Sequence, residues 1–170
     1  MSASADTSSR DAIAMRDFSA SLPMALLQTR EATMQLFRPL LAEHDLTEQQ
    51  WRVLRALSAS VEPLEVGAIV DATFLLAPSL SRILRDLEAR ELVHRAPVAT
   101  DQRRAQITLT SAGYELVARI APESEAIYNQ IEDAFGDKAL QRLLRELADL
   151  RAKTTRIVHA PGAWTIGGSE

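Results

Sequence analysis

There is no cysteine in the 170 residues. Disulfides, thiolate catalysis, Cys-based zinc sites and thiol redox sensing are thereby excluded. No window approaches the ~20 apolar residues of a membrane-spanning helix. Met1 to Arg16 is polar and has no long apolar stretch, so neither a signal peptide nor a membrane anchor is expected there. These absences imply a cytoplasmic chain with no membrane partner. Catalytic fingerprints are missing too: there is no Ser-His-Asp arrangement, no HExxH, no P-loop and no dinucleotide-binding glycine pattern. His44, His94 and His159 lie far apart and lack metal-ligand spacing. No metal, no cofactor and no enzyme activity are expected.

What is present suits one domain with helical arms. Hydrophobic residues make up 46%, enough for a sizeable core. The net charge of −4 argues at first against nucleic acid, but its distribution matters more than its total. Ser79 to Gln106 holds six arginines (82, 85, 90, 95, 103, 104) against four acids (86, 88, 91, 101), a local +2 on a body of −6. A basic stretch on an acidic body orients a protein on DNA.

Periodicity supplies the element order. Ser21 is a plausible cap and Pro23 fits a first helical turn, so a helix is expected from there to about Glu43. Leu27, Arg30, Met34, Phe37, Leu41 and His44 follow the 3-4 spacing of a helix seam. Pro39 predicts a kink or a break. Thr47 with Gln50 fits a capping box ahead of Trp51, Val53, Leu54 and Leu57. A short helix is expected over Val66–Ala72. A fourth begins near Pro78, with Leu80, Ile83, Leu84 and Leu87 on one face. The period then changes: Leu92, Val93, Ala96 and Val98, a polar tip from Thr100 to Arg104, then Ile107 and Leu109 predict a two-stranded hairpin. Thr110 is a candidate cap for a helix over about 111–134. Gly136 ends that helix, Asp137 is a candidate cap, and 138–158 form the last helix. Its Leu140, Leu143, Leu144, Leu147 and Leu150 are too many for a solvated helix standing alone.

The predicted fold is mainly α with a small β-wing: a winged helix-turn-helix with long terminal dimerisation helices. Residues 1–20 form a mobile arm, 21–45 and 111–159 a helical dimerisation region, 46–110 the DNA-binding domain and 160–170 a tail. On a helical wheel, Arg82 and Arg85 fall opposite the apolar face of the fourth helix, with Ser81 and Asp86 at its edges; Ser79 and Ser81 join the two arginines as candidate DNA contacts. Alone, this pair reads as ordinary solvated arginines. Arg103 and Arg104 at the wing tip, with Asp101 able to pair with a neighbouring Arg, bring a second basic group to the same face. Together they favour double-stranded DNA as the partner.

The stretch LSRILRDLEARELVHRAPVATDQRRAQITLTSAG (80–113) resembles the signature of the MarR family, the multiple antibiotic resistance regulators. The matching elements are Ser81-Arg82, Leu87-Glu88 with Leu92-Val93, Asp101-x-Arg103-Arg104, and Leu109-Thr110 with Gly113. Leu46-Thr47-x3-Trp51 extends the likeness, which covers about 21–158. Glu91 departs from it: many relatives carry Gly there, which sits easily in a left-handed helix terminus. The resemblance implies a homodimer on operator DNA, usually repressing transcription until a small ligand binds. The first helix, from Ser21-Leu22-Pro23 through Phe37-Arg38-Pro39-Leu40, resembles the branch that regulates catabolism of phenolic acids. It implies a small aromatic effector, a phenolic acid or its thioester.

Arg30 on an apolar seam needs an anion. Two readings stay open: it binds an effector carboxylate, or it pairs with an acid of a neighbouring helix or of the other subunit. In the first, Ser21 offers a hydroxyl, and Phe37 and Trp51 supply apolar walls; both aromatics read equally well as core. The competing functions are a helical protein-interaction adaptor on the same fold, or a regulator with no small-molecule effector.

Overall fold

The computed structural model describes residues 17–19, 21–98 and 101–160; the side chains of Val98 and residues 101–103 are outside that description. The expected arm before residue 17 and the tail after residue 160 also lie outside it. The elements run α1 (Leu22–Glu43), α2 (Glu48–Ser58), β1 (Leu64–Glu65), α3 (Val66–Thr73), α4 (Ala77–Ala89), β2 (Val93–Val98), β3 (Asp101–Leu109), α5 (Ser111–Phe135) and α6 (Asp137–His159). This is a mainly helical fold with a small sheet, the winged helix-turn-helix expected. The chain divides into two compact units, one through Ile120 and one from Ala121.

The helix boundaries follow local chemistry. The Thr47 hydroxyl accepts the Gln50 N–H at 3.2 Å, and Gln50 Oε1 accepts the Thr47 N–H at 2.8 Å, closing the expected capping box. Ser21 occupies the cap position of α1 but does not cap it; its hydroxyl donates to the Phe18 carbonyl at 2.9 Å. The helix runs through Pro39 without the break allowed for. Gly136, at φ 89°, takes the cap position of α6, so Asp137 is its first residue rather than its cap. There its negative charge complements the helix N-terminus.

The wing differs from expectation. It has three strands, in the order β1-β3-β2, all antiparallel. The third strand is only Leu64–Glu65, paired with Ile107 and Gln106. Two residues carry no periodicity, so nothing local marks them as a strand. β3 begins at Asp101, so Arg103 and Arg104 belong to a strand rather than to the tip between strands.

The core of the first unit closes under this sheet. Leu41, Leu54, Ile69, Leu80, Leu87, Ile107 and Ile120 are fully buried, drawn from α1, α2, α3, α4, β3 and α5. Burial of one such side chain is worth about 1.5–3 kcal/mol. Gly113 fixes how α5 starts. A Cβ there would lie 2.1 Å from the Leu92 carbonyl oxygen, so only glycine lets the first turn of α5 approach the backbone just before β2 so closely. The Thr110 hydroxyl accepts the Gly113 N–H at 3.0 Å, the expected cap, and donates to the Glu91 carbonyl at 2.6 Å. In the second unit α6 carries no buried residue, although its polar and apolar faces are well separated. Among the described residues no single helix is long and apolar enough to cross a membrane.

Candidate nucleic-acid interface

α4 is built to show one face to solvent. Leu80, Ile83, Leu84 and Leu87 are buried, while Ser81, Arg82, Arg85, Asp86 and Glu88 are exposed. The apolar period therefore selects which residues face outward. Ser79 is half-buried near the helix start. The Ser81 hydroxyl donates to the Ala77 carbonyl at 2.9 Å, and Arg85 Nε donates to the Ser81 carbonyl at 3.3 Å. Arg82 makes no hydrogen bond or ion pair among the described residues. Two forked guanidiniums one turn apart on an exposed helix can donate to guanine edges or to phosphates.

Three polar ties hold α4, of which only the terminus at Glu91 had a signal in the sequence. Gln50 Nε2 donates to Asp86 Oδ2 at 2.5 Å, so the capping box of α2 reaches the exposed helix. Arg90 donates to the carbonyls of Asp45 (2.8 Å) and His44 (3.4 Å), anchoring the end of α4 to the α1–α2 turn. Glu91 has φ 57°, with its N–H on the Glu88 carbonyl and the Leu92 N–H on the Leu87 carbonyl, both at 2.9 Å. That is a Schellman terminus with glutamate in the left-handed position that glycine favours. The turn keeps its shape despite the departure from the family pattern.

On the wing, Arg104 Nε and Nη2 meet Glu65 Oε2 and Oε1 at 2.8 and 2.5 Å. The side chains of Asp101 and Arg103 are outside the described ones.

The residues expected to meet an effector are distributed as follows. Arg30 is exposed rather than sunk in an apolar seam, and its guanidinium pairs with Glu31 and with Glu48 of α2. Arg38 pairs with the same two acids, its Nε donating to Glu48 Oε1 at 2.6 Å. Burial pushes the Glu48 carboxyl up, but the hydrogen bonds from Arg38 and Arg30 more than offset this and hold it below its ordinary value. The bonds from Arg38 to Glu31 and Glu48 raise the guanidinium further above its ordinary value. Phe37 and Trp51 are buried, at 4% and 8% exposure, and Ser21 is half-buried. Arg55 lies over the Trp51 ring, 5.9 Å from its centroid, and carries no ion pair among the described residues. The i,i+4 spacing of Trp51 and Arg55 on α2 was the available signal for this pair.

Comparison with known proteins agrees with this geometry. The MarR family model matches residues 44–104. The homoprotocatechuate degradative operon repressor of Escherichia coli is 40% identical over 132 residues, covering 78% of this chain and 88% of the repressor. The crystal structure of transcriptional regulator PA4135 superimposes with a TM-score of 0.74 at 38% identity, covering 78% of this chain and 96% of that one. The structure of NadR in complex with 4-hydroxyphenylacetate gives a TM-score of 0.71 at 36% identity, covering 81% and 97%. With an outward-facing arginine pair on α4, a wing beside it and this degree of likeness, the chain belongs to the MarR family and is a DNA-binding transcriptional regulator, not an enzyme.

Proposed function

We propose that the chain is a homodimeric repressor that reads operator DNA with α4 and its wing and releases it on binding a small aromatic acid or its thioester. The observation that carries the DNA reading is the orientation of Arg82 and Arg85 on α4, opposite four buried apolar residues. Residues 46–110 form the DNA-binding part in this reading. Ser79 and Ser81 contact the backbone near the start of α4, Arg82 and Arg85 enter the major groove, and Asp101, Arg103 and Arg104 serve the wing contact.

Uncovered apolar side chains support the dimer. On α1, Leu22, Leu26, Leu27 and Leu36 are 42–52% exposed. On α6, Leu144, Ile157 and Val158 are 56–61% exposed. Segments 21–45 and 111–159 supply the contact between subunits, which hides these faces.

Two relatives support the effector class. One is named for a homoprotocatechuate operon and the other was solved with 4-hydroxyphenylacetate. Phe37 and Trp51 form apolar walls and Ser21 offers a hydroxyl. Arg30 is already neutralised by Glu48, so an effector carboxylate must displace that acid to use it. Arg55, stacked on Trp51 and without an acid partner among the described residues, takes a carboxylate at no such cost.

The test is operator binding by the parent, Arg30→Ala and Arg55→Ala proteins, with and without hydroxycinnamates, hydroxyphenylacetates and their thioesters. The effector is expected to weaken operator binding about 5–150-fold, a typical coupling magnitude. Arg55→Ala is expected to lose most of that response. If every compound leaves the parent's affinity unchanged, the effector reading fails while the DNA reading stands.

A further inference from the structure

The position of Glu65 follows from register. Its Cα partner across the ladder is Gln106, and directly opposed residues share a face of the sheet. Two residues back along β3, on the same face, is Arg104. Glu65 thus reaches Arg104 diagonally, and its two oxygens meet Nε and Nη2 side-on. Glu65 is also the residue that starts α3, the first helix of the helix-turn-helix, with its backbone in an extended conformation. At that position the shorter carboxylate of Asp commonly accepts an N–H from the helix it precedes. Glu65 makes no such bond and is turned to the wing instead. The pair therefore ties the wing to the helix-turn-helix.

We propose that Glu65 is the positioning residue for Arg104 and sets how selectively the wing holds DNA; this rests on the wing's contacting DNA. Two consequences follow from the fork. A two-point Arg–carboxylate bond fixes the plane of the guanidinium, which a single contact does not. The wing then meets the duplex in one geometry, and less side-chain freedom is lost on binding. The carboxylate also offsets one positive charge beside the phosphates. That charge would otherwise attract any duplex, since phosphate attraction carries no sequence information. Glu65 therefore favours operator over random DNA by both routes.

The experiment compares the parent, Glu65→Gln, Arg104→Gln and the double variant, with operator and random duplexes over a salt series. Glu65 is exposed enough, at 35% of its side chain, for the isosteric amide to leave the fold intact. Glu65→Gln is expected to raise random-duplex affinity about 3–10-fold and to steepen the salt dependence by up to about 0.9 in log–log slope, the increment for one more phosphate contact. The operator-to-random ratio is expected to fall about 3–10-fold. In the Arg104→Gln background the same change is expected to leave the ratio where it is, because Glu65 acts through Arg104. An unchanged ratio in Glu65→Gln overturns the proposal, as does an equal fall with Gln at position 104. If the parent itself shows no preference for the operator, the DNA reading falls and this inference falls with it.

Discussion

Glu91 offers a direct test of the turn between α4 and the wing. Its φ of 57° places a side chain in the left-handed region. For an L-residue with a Cβ, that conformation costs about 1–2 kcal/mol. Glycine removes the cost but gains freedom in the unfolded chain, which returns about 0.4–1 kcal/mol. The Glu91 side chain is exposed and makes no hydrogen bond or ion pair among the described residues, so truncation loses no contact. The two Schellman bonds and the bond accepted from Thr110 all use backbone atoms and survive. A carboxylate past the C-terminus of α4 is also repelled by the helix dipole, by about 0.3–1 kcal/mol at most. Glu91→Gly is therefore expected to stabilise the protein by about 0.5–1.5 kcal/mol, from the balance of these terms.

Urea unfolding at a fixed protomer concentration measures this, since dimerisation makes apparent stability concentration-dependent. In a thermal scan the shift is about 1–6 °C for a chain of this size. Glu91→Ala separates the two contributions: it relieves the dipole but keeps the Cβ, so its gain is limited to that dipole contribution of about 0.3–1 kcal/mol and falls short of the Gly variant's. Equal stability of the Ala and Gly variants would refute the backbone argument. A Gly variant less stable than the parent would refute both.

At Gly113, alanine puts its Cβ against the Leu92 carbonyl, so Gly113→Ala is expected to cost about 2–3 kcal/mol or to prevent folding, as read by chemical denaturation. Glu48, held below its ordinary value by Arg38 and Arg30, contributes stability in full above the usual glutamate range, near pH 4.3, and loses it as pH falls through the lowered value. Glu48→Gln is expected to flatten stability against pH in that acid window, and an unchanged curve counts against the ion-pair cluster. Arg85→Ala is expected to weaken operator binding by about 1–3 kcal/mol if the fork reads a base, and to relax preference at that one base pair. Equal affinity for all single-base operator variants would assign Arg85 to phosphate instead.

How far each feature was legible depends on the range of its cause. The capping box of α2 needs only Thr47 and Gln50, and the buried face of α4 only its own period, so both can be read directly. Glu91 shows the limit of a local rule. A strong preference for glycine at a left-handed terminus is a preference, and the surrounding Schellman bonds hold glutamate there. β1 is a strand only because Ile107 and Gln106, some forty residues later, pair with it. Arg30 was legible as a cation in need of an anion, but its partner Glu48 stands on another helix.

Range of cause also separates the candidate DNA-reading residues of α4 from the side chains that support them. A side chain on an exposed helix face can stay clear of internal partners. Its position is then decided by the helix period alone, which the sequence carries openly. Arg82 is such a case, outward on α4 and unbonded among the described residues. Arg104 is the opposite case. Its placement in the wing signature marks it as basic and outward, yet its orientation is set by Glu65, thirty-nine residues earlier and on a strand with no local signal. Two arginines that look alike in sequence therefore differ in the fold: Arg82 has no bond that sets its orientation among the described residues, whereas Arg104 is held by the fork to Glu65. Substituting Glu65 should change selectivity more than affinity, and among the described residues no acid plays that part for Arg82.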